Sequence, residues 1–130
     1  MALIVVISVL AILQFFFFAT QVAGARRRYN VVAPAVSGNE MFERYFRVQM
    51  NTLELLVMFL PGLWFASFYV RPLWAALAGV IYLIGRMLYW RGYIADPSRR
   101  GPGFGLSMLP ILALLLAGLV GAIVELVRFG

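Results

Sequence analysis

The amino-acid sequence predicts an all-α integral membrane protein, a four-helix bundle, and three observations carry that prediction. Hydrophobic residues make up 64% of the chain and charged residues only 12%, well outside the range of soluble globular domains. The apolar residues fall in long runs rather than in the short alternating stretches of a water-facing fold. The charges flank those runs or interrupt them, so there is too little polar surface to coat the molecule in water. A chain of 130 residues with this pattern reads as one membrane domain, 1–130.

The elements follow in order. No charged side chain occurs between Met1 and Ala25, and roughly 20 apolar residues suffice to cross the hydrocarbon core, so a first helix is expected over about 2–25. Arg26, Arg27 and Arg28 stop it. A cleaved signal peptide carries its positive charge before a shorter apolar core, whereas here the charge follows a long one, which favours a retained span. The next residues, with Pro34, Ser37 and Gly38, have the punctuation of a loop. A second helix is expected over about 41–69, with a polar first half (Glu43, Arg44, Arg47, Gln49, Asn51, Glu54) that must face protein or water. Pro61 removes a backbone donor and predicts a kink or break in its apolar half.

Arg71-Pro72 makes a tight connection to a third helix over about 73–94, which carries Arg86 inside it and Arg91 near its end. Asp96-Pro97-Ser98-Arg99-Arg100-Gly101-Pro102-Gly103 is a second loop rich in helix breakers. A fourth helix is expected over about 104–127, with a kink at Pro110 and closing charges at Glu125 and Arg128. Arg26, Arg27, Arg28, Arg44, Arg47, Arg86, Arg91, Arg99 and Arg100 then share one side, with only Arg71 and Arg128 opposite. The positive-inside tendency places the first and third loops in the cytoplasm and both termini outside.

The chain has no cysteine and no histidine, which removes thiolate nucleophiles, disulfides, imidazole acid–base pairs and the usual zinc or haem ligands. No metal site is expected, and any thiol must come from a substrate. The net charge of +6 invites a nucleic-acid reading, but the arginines flank apolar runs and form no exposed basic arm. Membrane lipid headgroups or a carboxylate-bearing ligand are the expected partners, and nucleic acid is not.

Ionisable groups inside membrane helices cost about 2.5–3.5 kcal/mol each at the bilayer centre on insertion scales, so they mark candidate functional positions. At 100° per residue, Arg44, Arg47, Asn51 and Glu54 fall within roughly 80° of arc on the second helix. Tyr82, Arg86, Tyr89 and Tyr93 fall within roughly 60° on the third. Facing each other across a cleft, the two stripes would suit a zwitterionic peptide. Arginines would fork onto carboxylates, Glu54 would accept an ammonium group, Asn51 would offer a donor and an acceptor, and the tyrosines would add hydroxyls. The same residues can instead pair with each other to join helices, with the tyrosines in an interfacial aromatic belt. A third reading, a small drug exporter using Glu54 for proton exchange, conflicts with the arginines around that carboxylate.

The stretch Gly38-Asn39-Glu40-Met41-Phe42-Glu43-Arg44-Tyr45-Phe46-Arg47-Val48-Gln49-Met50-Asn51-Thr52-Leu53-Glu54 resembles the signature region of the MAPEG family, membrane-associated proteins in eicosanoid and glutathione metabolism. The resemblance extends to Ala25-Arg26-Arg27, to Arg86-Met87-Leu88-Tyr89-Trp90-Arg91-Gly92-Tyr93 and to Arg100, and so covers nearly the whole chain. Tyr45 and Val48 stand where Val and Ala are commoner, Thr52 where Cys is frequent, and Leu55 where several members have Tyr.

The resemblance implies a homotrimer, in the inner membrane of a bacterium, that binds glutathione as co-substrate between neighbouring subunits. By it, Arg47, Asn51 and Glu54 would hold the charged ends of glutathione, Arg26, Tyr89 and Tyr93 would line the site, and Arg100 would sit beside the sulfur. Arg86 joins the expected binding set through its place on the polar stripe and in the motif. The implied activity is a glutathione transferase, also a candidate peroxidase, that acts on lipophilic electrophiles or lipid substrates entering from the membrane. A free thiol of pKa near 8.5 is only a few per cent thiolate at neutral pH. Lowering that pKa by about two units takes roughly 2.7 kcal/mol of preferential anion stabilisation, which the Arg100 guanidinium in a low-dielectric cleft would supply. A binding protein of the same fold without turnover is the alternative, and the complete Arg47, Asn51, Glu54 and Arg100 set argues against it.

Overall fold

The computed structural model describes all residues, Met1–Gly130. It is all-helical: α1 (Ala2–Tyr29), α2 (Glu40–Ser67), α3 (Pro72–Ala95) and α4 (Arg100–Phe129), with one 3-10 turn at Pro97–Arg99 between α3 and α4. All four helices are long and apolar enough to cross a membrane. Large apolar side chains cover the outer faces, as at Leu13 (56% exposed), Phe16 (65%), Val57 (68%) and Leu109 (66%). Such a surface is stable against hydrocarbon and not against water, so this is an integral, multi-pass membrane protein.

Two helix ends differ from the sequence expectation. α1 runs on through Arg26, Arg27 and Arg28 to Tyr29, because cations in a last turn complement the partial negative charge of its carbonyls. It closes at Asn30 in the left-handed conformation, whose N–H reaches the Arg26 carbonyl. α4 starts at Arg100 rather than near residue 104, since helix first turns need no backbone donors and therefore tolerate Pro102. Arg100 thus lies on a helix end and not in a free loop. α2 and α4 also run through Pro61 and Pro110 without a break. α2 begins where Asn39 accepts the Phe42 N–H on its side chain at 2.9 Å, and Pro72 occupies the first turn of α3.

Between lipid-facing helices there is little hydrophobic driving force, because lipid tails are as apolar as leucine; close packing and polar links must hold the bundle. The main core joins Ile4, Ile7 and Ala11 of α1 to Phe59 and Leu63 of α2, Tyr82 of α3 and Ile111 of α4. The Phe59 and Tyr82 rings stack in parallel, 3.9 Å between centroids. Trp64 donates to the Ser8 hydroxyl at 2.9 Å, tying α2 to α1, and Gln14 donates to the Leu83 carbonyl at 2.9 Å, tying α1 to α3. α3 and α4 pack most extensively of all, with glycine at their contact. That contact and the C-terminal end of α3 meet the N-terminal half of α2, and there the polar residues collect.

Candidate functional site

A cavity of about 370 Å³ opens among α2, α3 and α4 and is lined by Arg47, Met50, Asn51, Glu54, Tyr89, Tyr93 and Arg100. α2 supplies four of these one turn apart, α3 supplies the two tyrosines from its last turns, and α4 supplies Arg100 as its first residue. Arg47, Glu54 and Arg100 are exposed within the single chain, Asn51 and Tyr93 are half-buried, and Tyr89 is buried. The two tyrosine rings meet at 5.6 Å between centroids. Arg100 also donates to the Pro97 carbonyl at 3.1 Å, which turns it back over the 3-10 turn. A smaller neighbouring hollow of about 160 Å³ shares Arg47 and Tyr93 and adds Glu40, Glu43, Arg44 and Pro97.

The chemistry of the lining is that of a cradle for an anionic or zwitterionic molecule. Two guanidiniums and two phenols donate, and one carboxylate accepts. The N-terminal end of α4 adds a positive dipole end beside Arg100. In the turn that delivers Arg100, the Asp96 carboxylate accepts the Ser98 N–H at 3.1 Å, and that bond, with lesser help from Arg99 and Arg44, holds the Asp96 carboxyl below its ordinary range. No group of His, Cys, Asp and Glu residues is placed to hold a metal ion.

Each polar stripe divides. On α2, Arg47, Asn51 and Glu54 face the cavity, while Arg44 donates to the Ile94 and Ala95 carbonyls at 2.8 and 3.3 Å and pairs with Glu40 at 3.0 Å. Arg44 therefore satisfies carbonyls that the end of α3 leaves unpaired. On α3, Tyr82 belongs to the core, and Tyr89 and Tyr93 face the cavity.

Arg86 lies behind the cavity wall and does not line it. Its side chain is fully buried, its Nε donates to the Ser107 hydroxyl oxygen at 2.9 Å, and its Nη1 donates to Asn51 Oδ1 at 2.7 Å and to Thr52 Oγ1 at 3.3 Å. Its Cζ sits 4.4 Å from the centre of the Tyr89 ring, and no carboxylate pairs with it. Arg26 is also outside this cavity: it donates to the Ala35 carbonyl at 2.6 Å and covers the Phe42 ring at 4.9 Å.

Three residues at the site carried no signal in the charge pattern. Met50 lines the cavity, and Thr52 and Ser107 bind Arg86. Small polar residues inside membrane helices are a general sign of helix–helix contact, and only that sign could have found Ser107.

Residues 4–120 match the MAPEG family. A human microsomal glutathione S-transferase 2 is 43% identical over 120 residues, covering 92% of this chain and 81% of that protein. A protein of the cyanobacterium Synechocystis is 42% identical over 120 residues, covering 92% of this chain and 88% of its own. Rat leukotriene C4 synthase is 38% identical over 99 residues, covering 76% of this chain and 66% of the enzyme. With that match running through all four helices and the whole of the cavity lining, the chain belongs to the MAPEG family.

Proposed function

We propose that the protein is a membrane-bound glutathione transferase that binds glutathione in the cavity among α2, α3 and α4 and activates its thiolate for attack on lipophilic electrophiles. The observation that carries this reading is the convergence of Arg47, Asn51, Glu54, Tyr89, Tyr93 and Arg100 on one cavity from three helices. Arg47 and Asn51 hold carboxylate or carbonyl oxygens, Glu54 takes the ammonium group, and the tyrosines form the walls. Arg100, at the positive end of α4, faces the sulfur and favours its ionised form. The sulfur lone pair attacks an electrophilic carbon, a bond to the leaving group breaks, and the proton lost from the thiol passes to solvent. The same thiolate, attacking the terminal oxygen of a lipid hydroperoxide, would break the O–O bond, release the lipid alcohol and leave a glutathione sulfenic acid, which a second glutathione converts to the disulfide and water.

Membership of a family that includes a glutathione S-transferase and leukotriene C4 synthase supports a glutathione-using membrane enzyme. The protein acts as a homotrimer in this reading, with glutathione held between neighbours. The position of Arg26, bound to Ala35 and outside the cavity of its own chain, favours its service at a neighbour's site. The second substrate enters from the lipid along the apolar outer faces. Purified protein in detergent is expected to conjugate glutathione to a chlorinated nitrobenzene. No thiol-dependent turnover with several electrophiles, together with retained glutathione binding, would assign the chain a binding role instead.

A further inference from the structure

We infer that Arg86 is a positioning residue of the proposed glutathione site: it holds the Asn51 carboxamide by its oxygen, so that Asn51 presents only its NH2 group, a donor, to the ligand. A guanidinium carries five N–H donors and no acceptor, so the Asn51 atom 2.7 Å from Arg86 Nη1 is the oxygen. The assignment rests on chemistry and is independent of how oxygen and nitrogen are told apart in an amide. Arg86 itself cannot turn. Its Nε is held by Ser107 of α4, whose hydroxyl hydrogen is already given to the Gly103 carbonyl at 2.7 Å, leaving a lone pair for Arg86. Its Nη1 is shared with Thr52, and its Cζ lies over the Tyr89 ring.

A fully buried cation without a carboxylate partner is costly in a membrane bundle, and replacing it by an apolar side chain would remove that cost. Its geometry shows what the charge does: it fixes Asn51 and backs Tyr89, two walls of the cavity. With the amide oxygen engaged, the cavity offers donors at Arg47, Asn51 and Arg100, and Glu54 is its only carboxylate. The inference rests on the glutathione reading and sharpens it: the ligand atom at Asn51 is a carboxylate or carbonyl oxygen, and the ligand's ammonium group belongs at Glu54.

Asn51→Asp is the discriminating variant, because it keeps an oxygen for Arg86 and deletes the donor. The ligand-free protein is expected to unfold at the wild-type temperature or above it, since Arg86 gains an ion pair. Glutathione affinity, measured by titration calorimetry on the same preparation, is expected to weaken by roughly tenfold or more through loss of one charge-assisted contact. A merely structural contact would move both readouts together. Arg86→Lys, which keeps the charge but not the fork, is expected to weaken glutathione binding at unchanged helix content; if it does not fold, the two Asn51→Asp readouts decide. Wild-type affinity in Asn51→Asp, or in folded Arg86→Lys, would overturn the inference. So would a clear loss of ligand-free stability in Asn51→Asp, for then Arg86 does not hold the oxygen of residue 51. If wild-type protein itself takes up no glutathione, the functional reading fails, and the ligand-free unfolding temperature of Asn51→Asp still decides whether Arg86 holds the oxygen of residue 51.

Discussion

Gly85 of α3 lies so close to Ser107 of α4 that a Cβ on it would stand 2.6 Å from the Ser107 backbone nitrogen. Across the same contact, a Cβ on Gly103 would strike the backbone of Tyr89. The two glycines bring the helix axes together, and this approach carries the Ser107 hydroxyl to Arg86 and Arg100 to the cavity edge.

Gly85→Ala is therefore expected to push α4 away from α3 and to destabilise the protein by about 1–3 kcal/mol, the usual range for overpacking. Backbone atoms, which cannot swing aside, would meet the new methyl group. Thermal unfolding in detergent checks this, and an unchanged midpoint would show that the helices separate without loss. Gly101→Ala, at a site with open space around it, is the control.

The charge-assisted contacts assigned to glutathione predict a ligand effect on stability. Glutathione is expected to raise the unfolding temperature of the wild type, and Arg47→Ala or Glu54→Gln to weaken that rise, each removing a contact worth about 1.5–3 kcal/mol. Both side chains are exposed in the single chain, so neither substitution opens a hole in its core. Equal shifts in wild type and both variants would remove these two residues from the clamp.

Arg100→Ala is expected to lower turnover by about tenfold for each 1.4 kcal/mol of thiolate stabilisation lost, while affinity for glutathione below its thiol pKa changes less. Arg100→Lys should recover part of the activity, since a point charge replaces the field but not the fork. Arg99→Ala, which removes an exposed side chain outside the cavity, should do little. Ultraviolet absorbance of the bound thiolate near neutral pH reads the effect directly, and an undiminished signal in Arg100→Ala would assign activation to another group.

The arginine asymmetry predicts that both termini face away from the cytoplasm. A reporter active only in the cytoplasm, fused after Gly130, is expected to be silent, and activity would reverse the orientation.

Sequence alone determined the all-helical class and the four spans, because each depends on local composition: a long uncharged run has only a helix to satisfy its backbone in lipid. It also determined that Arg47, Asn51 and Glu54 share one face, since a helical repeat fixes that without any partner. Tertiary structure alone decided what each polar residue does. Arg44 and Arg47 are one turn apart on the same stripe, yet Arg44 caps α3 and Arg47 faces the cavity, because the end of α3 passes over one and not the other. Tyr82 and Tyr89 likewise share a face, but Phe59 covers the first and the gap between α2 and α4 opens beside the second. Arg86 carries a charge like Arg47 but is buried behind the cavity wall, because Gly85 and Gly103 let α4 close over it and present Ser107. Charge pattern and helical period locate a polar residue on its own helix; which neighbour covers it depends on helix approach distances, and those are set by small residues far apart in the sequence.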